Sequence, residues 1–104
     1  MSWVTGSKAE WKEDIHAYED GALEKINNTT VYRYKLKRHS KDDDGRHIGF
    51  VIGDGFDLTG DILDHDKSNI DMYNALGVAY KAIQELSKEV SDLKKKLKRY
   101  ESEE

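Results

Sequence analysis

The sequence predicts an α+β fold, in which a small body made of a short helix and a β-hairpin precedes a long C-terminal helix. A short helix-forming stretch begins at Ala22, two β-type runs flank a polar turn, and apolar residues recur at heptad spacing from Leu76 to Tyr100. We expect the body to span residues 7–69 and the helix to span residues 70–104. Helices of identical chains should then join in a parallel coiled coil.

The composition favours self-association. Of the 104 residues, 37% are hydrophobic and 37% are charged, and the mean hydropathy is −0.87. A domain of this length buries only about 65% of the surface of its unfolded chain, so a lone chain has a small core. We therefore expect the protein to complete its core with copies of itself.

The charge and the residue content exclude several classes of function. The formal net charge is −4, whereas nucleic-acid binding requires a basic face. The sequence has no cysteine, which excludes disulfides and thiolate metal sites. No apolar run approaches the ~20 residues that are required to span a bilayer. We expect no nucleic-acid or membrane partner, no metal and no cofactor.

The stretch that opens with Asp64 resembles a calcium-binding loop only in its first residues. An EF-hand loop requires glycine at its sixth position and glutamate at its twelfth, where this chain has Asn69 and Ala75. We therefore interpret the Asp- and Gly-rich segment from Asp54 to Lys67 as an irregular loop.

The elements of the body follow from local patterns. Ala22–Ile26 predicts a short helix, which ends at two asparagines because asparagine is a poor helix former. Val31–Leu36 alternates so that its two tyrosines and Leu36 share one face, as in a half-buried strand. His47–Ile52 is a second β-type run, and the polar stretch Ser40–Gly45 predicts a turn between the two. The two runs should therefore pair as a hairpin.

The long helix is predicted from an unbroken heptad pattern. Apolar residues are spaced alternately three and four apart over nearly four heptads, which gives a narrow a/d seam along one side of the helix. A helix packed on its own body normally shows a wider apolar stripe, so we favour a coiled coil over that alternative. The predicted interface residues are Leu76, Ala79, Ile83, Leu86, Val90, Leu93, Leu97 and Tyr100.

The seam leaves the number of helices open between two and three. β-branched residues at a, as at Ile83 and Val90, favour two strands when leucine is at d, but leucine at the other a positions weakens that preference. A DNA-binding zipper is excluded, because residues 60–75 ahead of the heptads contain four aspartates and one lysine where a basic region would be required.

Five short segments stand in an order that is similar to a known family: Ser7–Ile15, Ala22–Ile26, Tyr32–Tyr34, Gly45–Phe50 and Ala82–Leu86. Together they look like the intramolecular chaperone domain of endosialidases (the S74 peptidase family), found at the C-termini of phage tail spikes, tail fibres and neck appendages. The resemblance covers roughly residues 7–97. It departs from the family at Lys8, where aspartate is usual, and at Val51–Gly55, where the family tends to read Ile-Ala-Gln-Glu-Val.

The resemblance implies a homotrimer that holds three upstream fibrous segments, of triple-β-helix type and part of the same polypeptide, in register while they fold. It also implies release by self-cleavage before a serine that is followed five residues later by a lysine. Ser7 and Lys12 occupy those positions, so the implied cut is at Gly6–Ser7, with residues 1–6 upstream of it. The implied setting is the host cytoplasm during phage assembly, with the chain in the precursor of a virion tail or neck component.

A Ser–Lys pair requires an uncharged lysine. Burial or nearby positive charge favours that form, and Lys8 and Arg46 could supply the charge. Residues five apart point about 140° apart on a helix and to opposite faces of a strand. Ser7 and Lys12 can therefore meet only if the segment bends or if Lys12 reaches Ser7 of a neighbouring subunit. We expect a catalytic site that is complete only in the oligomer.

His47 is a third candidate catalytic residue, since the resemblance places it in a family motif and a histidine could position or protonate the leaving amine. The alternative is a packed or hydrogen-bonded strand histidine. For the whole chain, the alternative function is a coiled-coil oligomerisation domain of a structural protein that does not cleave itself, with Ser7 and Lys12 as surface residues.

Overall fold

The computed structural model describes residues 6–39 and 41–102. The described chain forms helix α1 (Ala22–Asn27), strands β1 (Tyr32–Tyr34) and β2 (His47–Gly49), and helix α2 (Met72–Ser102). Three 3-10 turns lie between and before them, at Ala9–Trp11, Lys37–His39 and Gly60–Ile62. The predicted fold class, a small helix and hairpin followed by a long helix, is confirmed.

Helix α1 is too short to be stable alone, since isolated helices below about 12 residues are marginal. Its first turn is held by Glu85 of α2, whose carboxylate accepts hydrogen bonds from the backbone amides of Gly21 and Leu23, both at 2.7 Å. The amide of Leu23, followed by that of Gly21, lowers the pKa of this carboxyl group. A side chain of the long helix therefore caps the short one, which fixes the two helices to each other.

The hairpin is antiparallel, with Arg33 opposite Ile48. Tyr32 and Tyr34 are half-buried and Arg33 is exposed, which confirms the predicted alternation. The strands are shorter than predicted, three residues each. Leu36 does not share the tyrosine face within the strand, because β1 ends at Tyr34 and a 3-10 turn begins soon afterwards.

The segment from Asp54 to Lys67 is largely irregular, as predicted, but it contributes to the core. Its 3-10 turn places Ile62 in the interior, where the side chain is 3% exposed. The sequence did not predict this turn, because Ile62 is its single apolar residue and one residue shows no periodicity. The buried core consists of Ala22, Ile62, Val78 and Ala82. Two of these are alanines, so the hydrophobic stabilisation of a single chain is small.

Helix α2 carries two apolar stripes. Ala75, Val78, Ala82 and the capping Glu85 face the body, at spacings of three and four. The predicted seam lies on a different side, and its large side chains are between 43% and 66% exposed. The helix therefore does pack on its own body, but through a stripe that leaves the large side chains of the seam exposed, and the coiled coil stays a prediction.

The chain is elongated, with a radius of gyration of 19.0 Å against about 13 Å for a compact chain of this length. None of the helices in the described ranges is long and apolar enough to cross a membrane. Those same ranges hold no group of three or more ligating side chains placed to bind a metal ion.

A charged cluster ties α1 to the 3-10 turn at Gly60–Ile62. The Lys25 ammonium donates to Asp61 at 2.7 Å, to Tyr18 at 3.0 Å and to Glu19 at 3.2 Å. The Tyr18 hydroxyl also donates to the Asp61 carboxylate. The hydrogen bond from Lys25 is the main reason that the pKa of Asp61 lies below its ordinary 3.8. Burial acts in the opposite direction and is a smaller effect.

This cluster predicts a pH dependence of stability. Because the folded-state pKa of Asp61 is depressed, its contribution is present above the ordinary value of 3.8 and is lost as the pH falls through the folded value. We expect Asp61→Asn to reduce the free energy of unfolding at pH 7 by about 0.2–1 kcal/mol, the usual range for an ion pair of this exposure. The difference from wild type should shrink below pH 3.8.

Urea unfolding from pH 7 down to pH 3 measures this effect. Asp42→Asn, at an exposed aspartate of the hairpin connection, is the matched control and should leave the curve near that of wild type. A difference between wild type and Asp61→Asn that stays constant down to the lowest pH would contradict the assignment.

Candidate functional site

Ser7 and Lys12 meet within one chain. Lys8 and Lys12 are both extended and flank the 3-10 turn Ala9–Trp11, which two backbone hydrogen bonds of 3.0 Å close. This bend brings the Lys12 ammonium to 2.6 Å from the Ser7 hydroxyl oxygen. Of the two routes that the spacing allowed, the structure has the bend, so the contact itself needs no neighbouring subunit.

The pair is open to solvent in the single chain, where both side chains are exposed. The two cations that could help to neutralise Lys12 have other contacts. Lys8 lies 5.4 Å from the centre of the Trp11 ring, and Arg46 pairs with Asp44 at 3.2 Å. A neutral lysine is favoured by burial, and Lys12 is exposed in the single chain.

The Trp11 indole lies against the residue before the predicted cut. A Cβ atom at Gly6 would stand 2.8 Å from Cζ3 of this ring, closer than real Cβ contacts. Glycine therefore permits the indole to cover the backbone beside Ser7. Of the predicted upstream segment 1–6, residues 1–5 lie outside the described residues.

A third side chain reaches Ser7. The Tyr73 hydroxyl, in the first turn of α2, lies 3.1 Å from the Ser7 hydroxyl oxygen, across a separation of 66 residues. Sequence reasoning missed Tyr73, because no local pattern connects the start of α2 to the N-terminal segment. Tyr73 also lines an open groove of about 420 Å³, together with Tyr18, Glu19, Asp61, Asn74, Gly77 and Val78.

His47 lies in the hairpin, and it contacts two other residues of the hairpin, Asp43 and Tyr34. Its Nε2 is 3.0 Å from the Asp43 carboxylate, and its ring stacks on Tyr34 with centroids 5.4 Å apart. The Asp43 side chain is only 3% exposed. Its carboxylate also accepts hydrogen bonds from the backbone amides of Leu36 and Gly45, both at 2.8 Å. These contacts fit the hydrogen-bonded strand histidine, and a catalytic role for His47 stays a prediction.

The comparison with known families bears on this geometry. The family model described as the chaperone of endosialidase, Peptidase_S74, matches residues 7–53. These residues are similar to the endosialidase chaperone family. The matched segment begins at Ser7 and includes Lys12, α1, both strands and His47. The predicted resemblance is confirmed over this range, whereas the similar segment Ala82–Leu86 lies outside it.

The similarity to the endosialidase chaperone family has two consequences. The family is one of self-cleaving peptidases, and it points to a C-terminal chaperone role for the chain. No curated protein and no solved structure matches the sequence.

Proposed function

We propose that the chain is a C-terminal intramolecular chaperone that assembles as a parallel homotrimer through the seam of α2. In this role it holds three upstream fibrous segments of its own polypeptide in register, within the host cytoplasm during phage assembly. It then releases itself by cutting the Gly6–Ser7 bond. The observation that carries the proposal is the 2.6 Å contact between Lys12 and Ser7, at the first residue of the family match.

The proposed reaction begins when neutral Lys12 accepts the proton of the Ser7 hydroxyl. The hydroxyl oxygen attacks the carbonyl carbon of Gly6, so a C–O bond forms while the C–N bond between Gly6 and Ser7 breaks. Lys12 passes its proton to the Ser7 nitrogen, which becomes a free amine. The two parts are then joined by an ester, which water hydrolyses to a Gly6 carboxyl group and a restored Ser7 hydroxyl.

Assembly supplies the desolvation that the single chain lacks. The exposed seam begins at Leu76, four residues after the first residue of α2. Ser7 is hydrogen-bonded to Tyr73, which lies in the first turn of the same helix. Association of the three α2 helices would therefore bring neighbouring chains close to Lys12. Removal of water from an ammonium group favours its neutral form, so cleavage would follow assembly.

A fusion of a folded, monomeric reporter protein before Met1 tests the reaction. We expect the wild-type fusion to split on its own, and we expect mass spectrometry to find a released fragment that begins at Ser7. Ser7→Ala should abolish the cut, because alanine has no nucleophile, and it should leave the oligomer intact. Ser91→Ala, at an exposed serine of α2 that is off the seam, is the matched control and should cleave like wild type.

Two results would count against the proposal. An intact wild-type fusion under conditions in which the protein is oligomeric would remove the self-cleavage claim. A cut at another bond would remove the role of Ser7.

The second candidate is a coiled-coil oligomerisation domain without proteolysis. The exposure of Ser7 and Lys12 in the single chain favours it, because exposed serine and lysine side chains can form a hydrogen bond without any catalytic role. The same fusion separates the two candidates, since only the first predicts a split chain.

A further inference from the structure

Tyr73 is the one long-range partner of Ser7 among the described contacts, and it touches the atom that would react. Its hydroxyl is 3.1 Å from the Ser7 oxygen, and either atom can be the donor. The Lys12 ammonium approaches the same oxygen at 2.6 Å. Ser7 thus lies between a potential base and a phenol that comes from a different element.

The position of Tyr73 is fixed by the start of α2. The Asp71 side chain accepts the amide of Asn74 at 3.0 Å, which caps the helix. The Asp71 amide donates to the Ile62 carbonyl at 2.7 Å, and the Asn74 side chain donates to the Asp61 carbonyl at 3.3 Å. These bonds tie the backbone of the first turn to the body, so the base of the Tyr73 side chain is positioned beside Ser7 when no neighbour is present.

We propose that Tyr73 is a catalytic residue of the self-cleavage, an inference that rests on the proposed function. With Lys12 protonated, the Ser7 hydroxyl can donate to Tyr73. Once Lys12 is neutral and accepts the Ser7 proton, the phenol donates to the Ser7 oxygen instead. That oxygen gains negative charge as its proton leaves, and a hydrogen bond to a charged oxygen is about twice as strong as a neutral one. No atom leaves Tyr73 in this step.

The heptad register connects this residue to assembly. With a at Leu76 and d at Ala79, Met72 falls at d and Tyr73 at e, the position that flanks the seam. Met72 is 69% exposed, so it extends the free seam to the first residue of α2. Association of the helices would therefore place a neighbouring helix against Tyr73 and strengthen its hydrogen bond to Ser7 by excluding water.

The test compares Tyr73→Phe with Tyr80→Phe in the reporter fusion. Tyr80 is the same residue at the next e position, is 62% exposed and lies one heptad beyond the turn that contacts Ser7. Removal of a donor from an oxyanion hole commonly slows a reaction about 10²–10³-fold. Tyr73 donates instead to the attacking oxygen in an exposed site, so we expect Tyr73→Phe to slow cleavage less, about 10–100-fold. Tyr80→Phe should cleave within about twofold of wild type, and the oligomer mass should be unchanged in both.

Each other outcome overturns a definite claim. If the wild-type fusion cleaves and Tyr73→Phe cleaves equally fast, the role of Tyr73 is wrong and the proposed function stands. Equal slowing in the two variants, or loss of the oligomer in Tyr73→Phe, assigns the effect to assembly and also overturns the role. An uncleaved wild-type fusion overturns the proposed function, and this inference with it.

Discussion

Leu86→Asp is expected to convert the protein from the proposed oligomer to single chains of 12.0 kDa. Leu86 occupies a central d position of the seam and is 48% exposed in the single chain, so its burial depends on neighbouring helices. Truncation of a buried leucine costs about 2–5 kcal/mol, and a trimer would bear that cost three times. An aspartate adds the cost of burying a carboxylate without a partner.

Sedimentation equilibrium measures this prediction directly. Gln84→Asp is the matched control, because it introduces the same residue in the same helical turn at an exposed position off the seam. It should retain the wild-type mass. The wild-type mass also decides between two and three chains, which the heptad pattern leaves open. An unchanged mass in Leu86→Asp would contradict the coiled coil.

The same variant tests whether assembly controls cleavage. If neighbouring chains supply the desolvation of Lys12, the monomeric Leu86→Asp fusion should remain uncut. A monomer that cleaves at the wild-type rate would leave the coiled coil intact as a structural assignment and would refute its role in timing.

Lys12→Arg is expected to slow self-cleavage about 10²–10⁴-fold, the usual contribution of a general base. Arginine keeps the positive charge and can still reach the Ser7 oxygen, but it stays protonated at any pH a protein tolerates. The variant thus separates a base from a simple cation. We expect the oligomer to form normally, since Lys12 is exposed and lies outside the core.

Lys8→Arg is the control for this substitution. It makes the same chemical change four residues earlier, at a side chain that lies over the Trp11 ring. Because arginine also stacks on aromatic faces, the Lys8→Arg fusion should cleave at nearly the wild-type rate. A Lys12→Arg fusion that cleaves as fast as wild type would show that Lys12 is not the base.

Local sequence patterns predicted the elements well. The heptads predicted α2, and the alternation around Tyr32 and Tyr34 predicted the hairpin, because such patterns depend only on residues within one element. Strand length was predicted less well, since the end of β1 depends on where the chain turns into the next segment. The five-residue spacing also required a bend between Ser7 and Lys12, if the two were to meet in one chain.

Contacts between distant segments were not predictable in this way. The Glu85 carboxylate reads as a solvated residue of a charged helix, yet it caps α1 from 62 and 64 residues away. The body-facing stripe of α2 rests on Ala75, Val78 and Ala82, and two alanines among helix formers give little apolar signal. His47 became a candidate catalytic residue because the resemblance places it in a family motif, and its contact with Asp43 was not predictable because Asp43 lies in a turn whose sequence is simply polar.

The sequence alone determined that a long helix carries a narrow apolar seam, and that a serine and a lysine stand five residues apart near the start of the chain. Both features depend on spacing along the backbone. Only the tertiary structure decided that the body occupies a second stripe of that helix, and that Tyr73 in its first turn reaches Ser7. The contacts of Tyr73 with Ser7 and of Glu85 with α1 join residues more than sixty positions apart, so they depend on the path of the whole intervening chain.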